Sequence, residues 1–432
     1  MDRIRIRGGN RLVGTIPVSG AKNAALPIMA ASLLTSEPVR LENVPRLADI
    51  ESMLALIGEL GATIRRAGSP GEPELEIGVP RVTATEAPYD IVRKMRASVL
   101  VLGPLVGRCG RARVSLPGGC AIGTRPIDLH LAGLRRMGAN IDLSGGYVEA
   151  ALPRGGRLHG ARHVFPIPSV GATENLMMAA VLARGESELV NAAREPEIVD
   201  LADCLVAMGA QIEGAGTDVI HISGRETLGG ATHRITADRI EAGTYAIAAC
   251  ITGGELELTG IRPGLLERVF DTLSAAGARI DAAADRVRVT APDGGLRAVD
   301  VVTEPYPGFP TDLQAQLMAC MTIADGSSLI TETIFENRFM HVSELVRMGA
   351  DITVRDGSAR VNGIHGLAGA PVMATDLRAS VSLVLAGLAA NGETTINRIY
   401  HLDRGYERLV GKLVACGAVI ERETDADSVQ VA

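Results

Sequence analysis

The amino-acid sequence predicts an α/β fold built from six copies of one repeat, divided into two groups of three. Three observations predict it. The pattern Leu/Ile-x-x-small/apolar-Gly-Ala-x-Ile recurs six times along the 432 residues, with its glycine at Gly61, Gly138, Gly209, Gly277, Gly349 and Gly417, at intervals of 68–77 residues. Self-similarity at such a period marks a repeat architecture. Each copy closes a stretch with helical apolar spacing and opens one with strand alternation, as in Arg286-Val287-Arg288-Val289. Hydrophobic residues make up 47% of the chain but aromatic ones only 3%, with no tryptophan, so the core is packed by Leu, Ile, Val, Ala and Met. With 22% charged residues, that apolar fraction excludes a disordered chain.

Taken in order, each repeat reads β-α-β-α-β-β. The first seven residues form a strand that leads directly into folded sequence, with no secretory signal. Helices rich in small residues are predicted over 23–34, 172–183, 313–323 and 377–389. Short strands follow at 39–41, 112–116, 188–191, 255–259, 328–331 and 394–397. The Gly-Ala glycine suits the left-handed position that ends the second helix, and Ala-x-Ile begins the return strand. The first helices are so apolar that they must be buried together, and six repeats exceed a single core. The loop after each short strand carries one arginine: Arg46, Arg125, Arg194, Arg262, Arg338 and Arg404. Such arginines either converge on an anion or cap helix ends in solvent.

Several classes are excluded. A net charge of −7 gives no global basic field for nucleic acid or a membrane surface. The longest apolar stretch, 97–107, is broken by Gly103 and Pro104 and is too short to span a bilayer. Six scattered cysteines and eight dispersed histidines offer neither a disulfide framework nor metal-ligand spacing. No dinucleotide fingerprint is present. A cytoplasmic protein doing cofactor-free chemistry on an anionic small molecule, with no metal and no obligate protein partner, is the expectation.

Four positions stand out. Cys120 lies on a glycine-rich loop five residues before Arg125, whose charge favours the thiolate, whereas Cys204, Cys250, Cys320 and Cys416 sit in apolar helical runs. Lys22 opens an apolar helix, an anion-binding arrangement or else an ordinary surface lysine. Arg96 lies at a helix start that its charge does not favour, so it needs an anion or a carboxylate such as Asp90. Asp312 introduces a helix as an N-cap, or serves as a base toward a hydroxyl.

The segments 18–23, 169–173, 195–200, 307–312, 335–339 and 403–407 resemble the UDP-N-acetylglucosamine 1-carboxyvinyltransferases. So does Leu116-Pro117-Gly118-Gly119-Cys120-Ala121-Ile122-Gly123-Thr124-Arg125-Pro126, the most specific of them. The matches run in order along the whole chain. The resemblance implies two inside-out α/β barrel domains of three repeats each, one formed by 1–21 with 237–432 and the other by 22–236, with the active site in the cleft between them. It implies transfer of the enolpyruvyl group of phosphoenolpyruvate to the 3-hydroxyl of UDP-N-acetylglucosamine. Cys120 would be the general acid and Asp312 the base. Lys22, Arg125 and Arg404 would meet the phosphate, and Arg338 the anion pocket. Asn23, Arg96, Arg125, Pro126, Ile127, Asp128, Leu129, Ser169, Val170, Gly171, Asp312 and Ile334 would line the substrates. At Ile167 several relatives carry a lysine near the diphosphate, with Arg162 or His163 as substitutes here. The 5-enolpyruvylshikimate 3-phosphate synthases share the architecture but lack the loop cysteine. A silent repeat scaffold gives no reason for a thiol and cations on equivalent loops.

Overall fold

The computed structural model describes residues 2–69, 72–93, 95–116, 127–153 and 155–423. All six Gly-Ala glycines adopt positive φ, between +95° and +110°. In every copy the alanine N–H donates to the carbonyl of the leading Leu or Ile five residues back, from Ala62 to Ile57 through Ala418 to Leu413, at 2.9–3.1 Å. The glycine N–H donates to the residue three before it at 2.8–3.0 Å. This paired arrangement satisfies two of the carbonyls a helix end leaves open, and it requires a residue indifferent to φ at the glycine position. A Cβ at Gly209 meets nothing within 4 Å. Gly209→Ala therefore lowers stability by conformational strain alone, about 1–2 kcal/mol in urea unfolding.

Among the described residues, six four-stranded sheets follow one plan. In the sheet ordered Arg162–Val164, Glu186–Val190, Val219–Ser223, Gln211–Glu213, the first pair is parallel and the others antiparallel. A parallel pair needs a crossover, here the helix Val170–Ala180, while the antiparallel pair closes as a hairpin. The β-α-β-α-β-β order holds throughout, but three sheets draw a strand from distant sequence. Arg3–Arg7 lies antiparallel between Glu393–Asn397 and Val419–Glu423. Val13–Pro17 runs parallel to Glu255–Thr259, and Ala231–Arg234 parallel to Val39–Glu42.

The chain divides into two compact units, one holding the described residues of 2–19 and 237–423, the other those of 20–236. Each has its own continuous aliphatic core. In the first, the helices Arg239–Ile251 and Gln314–Met321 are buried at every residue, and Leu377–Ala389 at all but its ends. In the second, Lys22–Ala31, Leu102–Cys109 and Val170–Ala180 take that place. Helices lie inside and sheets outside, each sheet turning its polar face outward with cross-strand pairs such as Arg288–Glu257 and Arg113–Glu149. Small residues make this packing possible. A Cβ at Gly243 would collide with the Leu313 side chain, one at Gly224 with the Ala183 carbonyl, and one at Gly363 with the Ala324 carbonyl. Gly224 and Gly363 occupy equivalent places in different repeats, each just beyond a closing strand, Val219–Ser223 or Ser358–Asn362. Among the described residues no helix is long and apolar enough to cross a membrane.

Candidate active site

The candidate residues gather where helices begin. In the first unit the centre is Asp312. It does not cap its helix: Thr311–Leu313 form a 3-10 turn, and the helix Gln314–Met321 starts without a side-chain cap. The carboxylate instead accepts from Arg338 Nη2 at 2.7 Å and from Arg378 Nε at 3.2 Å. Both arginines are almost fully buried, at 6% and 3% exposure. Burial opposes the charge of Arg378, yet Asp312, Tyr406 and Asp238 together outweigh it and hold the guanidinium above its ordinary value. Two charge-assisted bonds, one from the turn that carries Arg338 and one from the start of the helix Leu377–Ala389, thus fix one carboxylate.

Glu332, also buried, organises the neighbouring turn. Its Oε1 accepts from Thr303 Oγ1 at 2.9 Å and from the N–H groups of Ile334 and Phe335 at 2.8 and 3.1 Å. Its Oε2 accepts from Thr311 Oγ1 at 2.8 Å, and Thr311 Oγ1 accepts from Arg338 Nη1 at 2.7 Å. Beneath Asp312, Gln316 Nε2 donates to the Asp312 carbonyl at 2.8 Å and to the Tyr406 hydroxyl at 3.2 Å. Burial pushes the Tyr406 hydroxyl up, with Arg378 opposing. Arg404 ends the 3-10 helix Ile399–Arg404, half-buried two residues before Tyr406.

In the second unit Lys22 is the first residue of its helix and is buried rather than superficial, its Nζ 3.2 Å from Asp49 Oδ2. Asn23 follows it, half-buried. Arg96 opens the 3-10 helix Arg96–Val101. Asp90, the carboxylate offered as an alternative to an anion, faces Arg93 at 3.3 Å. Ser169 caps Val170–Ala180, its hydroxyl accepting from the Ala172 N–H at 3.4 Å, with Gly171 against the His130 ring. Ile127 is buried at the start of Asp128–Arg136, where Asp128 is exposed and Leu129 half-buried. Ile167 faces solvent. Of its two proposed substitutes, Arg162 is exposed and pairs with Glu188 at 2.6 Å, whereas His163 is buried edge-on against Phe165.

His130 connects these elements. Asn175 Nδ2 donates to its Nδ1 at 3.0 Å and to the Val99 carbonyl at 2.9 Å, while Asn175 Oδ1 accepts from the Gly103 N–H at 2.6 Å. Burial, reinforced by the charge of Arg96, lowers the His130 pKa to about 4. The unfolded chain then binds the extra proton between about pH 6.5 and 4, so stability falls as pH drops through that window. Lowering pH from 7 to 5 removes about 2 kcal/mol through this histidine. Urea unfolding of His130→Gln, compared with the wild type at both values, reads the difference.

The loop arginines separate: Arg338 is buried and Arg404 half-buried, whereas Arg46, Arg194 and Arg262 are exposed. Cys120, Arg125 and Pro126 lie outside the described residues. Among the described residues no group of three or more His, Cys, Asp or Glu side chains could hold a metal ion. Asp49, His130, Glu332 and Arg378 were not singled out from the sequence. Arg378 carried a signal: a cation just after Asp376 at the head of an otherwise apolar helix, the anomaly that marked Arg96.

Outer sheets and inner helices of this kind are shared with a solved enolpyruvyl transferase. The enolpyruvyl transferase NikO from Streptomyces tendae has the same fold, with a TM-score of 0.88 at 29% identity over 98% of this chain and 99% of that one. An EPSP synthase from Acinetobacter baumannii shares the fold at a TM-score of 0.74 and 20% identity, over 98% and 100% of the two chains. Residues 6–413 match the EPSP synthase (3-phosphoshikimate 1-carboxyvinyltransferase) family, and the chain belongs to it. Within that family, the UDP-N-acetylglucosamine 1-carboxyvinyltransferase of Rhodospirillum centenum is 62% identical over 434 residues, covering 99% of this chain and all of that protein. That of Agrobacterium fabrum is 58% identical over 431 residues, covering 98% of this chain and 100% of its own.

Proposed function

We propose that the chain is a cytoplasmic enzyme that transfers the enolpyruvyl group of phosphoenolpyruvate to the 3-hydroxyl of UDP-N-acetylglucosamine and releases phosphate, feeding peptidoglycan precursor synthesis. The observation that carries this reading is identity of 58–62% along 98–99% of the chain with relatives named for that activity. The roles follow from the chemistry. The methylene carbon of phosphoenolpyruvate takes a proton from Cys120, the sugar 3-oxygen bonds to the adjacent carbon, and its proton passes to Asp312. The tetrahedral phospho-ketal then expels phosphate, and loss of a methyl proton restores the double bond. Lys22, Arg125 and Arg404 meet the phosphate, and Arg338 stands at the anion pocket. Asn23, Arg96, Ile127–Leu129, Ser169–Gly171 and Ile334 hold the sugar nucleotide. No cofactor enters, since proton transfer and preorganised cations suffice. Phosphate release in the presence of phosphoenolpyruvate and UDP-N-acetylglucosamine tests the reading, with shikimate 3-phosphate as the second acceptor. Turnover with shikimate 3-phosphate alone would overturn it.

A further inference from the structure

We infer that Glu332 is a positioning residue for this reaction: one buried carboxylate sets both the Thr311–Asp312 turn and the backbone at Ile334 and Phe335. The inference rests on the proposed role of Asp312 as proton acceptor. Four donors approach the two oxygens of Glu332, which fills the acceptor capacity of a carboxylate. A buried carboxylate is unfavourable without such partners, and an apolar side chain would fill the same space without that penalty. What the carboxylate adds is direction. Because it only accepts, the Thr311 hydroxyl must point its proton at Oε2, at 2.8 Å. That leaves the hydroxyl oxygen able to accept from Arg338 Nη1 at 2.7 Å.

Arg338 is thereby held by one nitrogen on Thr311 and by the other on Asp312 Oδ1, also at 2.7 Å. A planar guanidinium fixed at two points cannot rotate away from the carboxylate it serves. The other oxygen of Glu332 simultaneously fixes the N–H groups of Ile334 and Phe335, so the proton acceptor and a substrate-lining segment share one anchor. The wiring is a chain from Glu332 through Thr311 and Arg338 to Asp312. Glu332 touches no reacting atom.

Thr311→Val keeps the shape of the side chain and removes the hydroxyl, whereas Thr311→Ser keeps the hydroxyl. Thr311→Val should lower kcat on the order of 10- to 100-fold, the size of effect expected when a reacting group is displaced without being removed. The KM for phosphoenolpyruvate should change far less, and Thr311→Ser should recover most of the loss. Glu332→Gln should lower kcat comparably, and should add little further in the Thr311→Val background because both act through one chain. Amide exchange over 334–335 should quicken in Glu332→Gln but not in Thr311→Val. Losses that multiply, or that track the melting temperature and spare kcat, would overturn the positioning role. If Glu332→Gln does not fold, equal activity of the Val and Ser variants at Thr311 overturns it alone. Absence of phosphate release by the wild-type chain would sink the functional reading instead, while unchanged exchange at 334–335 would sink the role of Glu332.

Discussion

Asparagine at position 312 should lower kcat for phosphate release on the order of 10²- to 10⁴-fold, the usual range for removing a general base. The amide cannot take the proton of the sugar hydroxyl. It also disturbs the arginines that converge there. One amide oxygen still accepts from Arg338 or from Arg378, but the amide NH2 then faces the other guanidinium, donor against donor. Both arginines are nearly inaccessible, so the lost compensation falls on buried charge. Breaking a buried pair lowers stability by roughly 3–5 kcal/mol. The Asp312 side chain is 26% exposed, which places the expected loss near the lower end of that range. Initial rates of phosphate release and urea unfolding of Asp312→Asn measure the two effects. Activity within tenfold of the wild type would remove Asp312 from the role of base.

What the sequence made legible was local. The six Gly-Ala signatures are each closed by hydrogen bonds within six residues, so one helix end and its glycine can be read anywhere they occur. The apolar first helices were legible for the same reason: full burial leaves a run of small aliphatic residues that periodicity alone exposes. Long-range pairing left no such trace. Nothing near Arg3–Arg7 announces partners at Glu393–Asn397 and Val419–Glu423, and nothing near Val39–Glu42 announces Ala231–Arg234. Of the two readings that the sequence left open for Asp312, the cap fails on similar grounds. The backbone amides that favour capping are local, whereas the guanidinium groups that win the carboxylate lie 26 and 66 residues further along. Among the loop arginines, equivalence in sequence gave equal standing to six side chains. Among the described loop arginines burial distinguishes Arg338, where a carboxylate-bearing turn and an acceptor hydroxyl meet the loop.

Thiol chemistry should single out Cys120. Burial raises the pKa of all five described cysteines. Cys204 and Cys250 are pushed up to about 12. Cys320, fully enclosed, is pushed well above the ordinary thiol value. Burial raises Cys416 too, and raises Cys109 despite the opposing charges of Arg108 and Arg111. A thiol with a pKa near 12 is ionised at pH 7 to only about one part in 10⁵. Alkylation proceeds through the thiolate, so these sites react slowly whatever their access. Cys120, five residues before Arg125, is the remaining thiol. An epoxide such as fosfomycin, supplied in modest excess at pH 7, should therefore add one equivalent per chain. Peptide mapping should place it on Cys120, and phosphate release should fall in proportion to the label. Cys120→Ser should abolish incorporation and lower turnover at least on the order of 10²-fold, as expected for loss of a general acid. Raising the pH to 9 should bring slow labelling of Cys109 and Cys416 before that of Cys204, Cys250 or Cys320, since the latter three have the more strongly shifted thiols. Label on Cys109 at pH 7, together with full turnover by Cys120→Ser, would remove Cys120 as the acid and leave the proton source to another group.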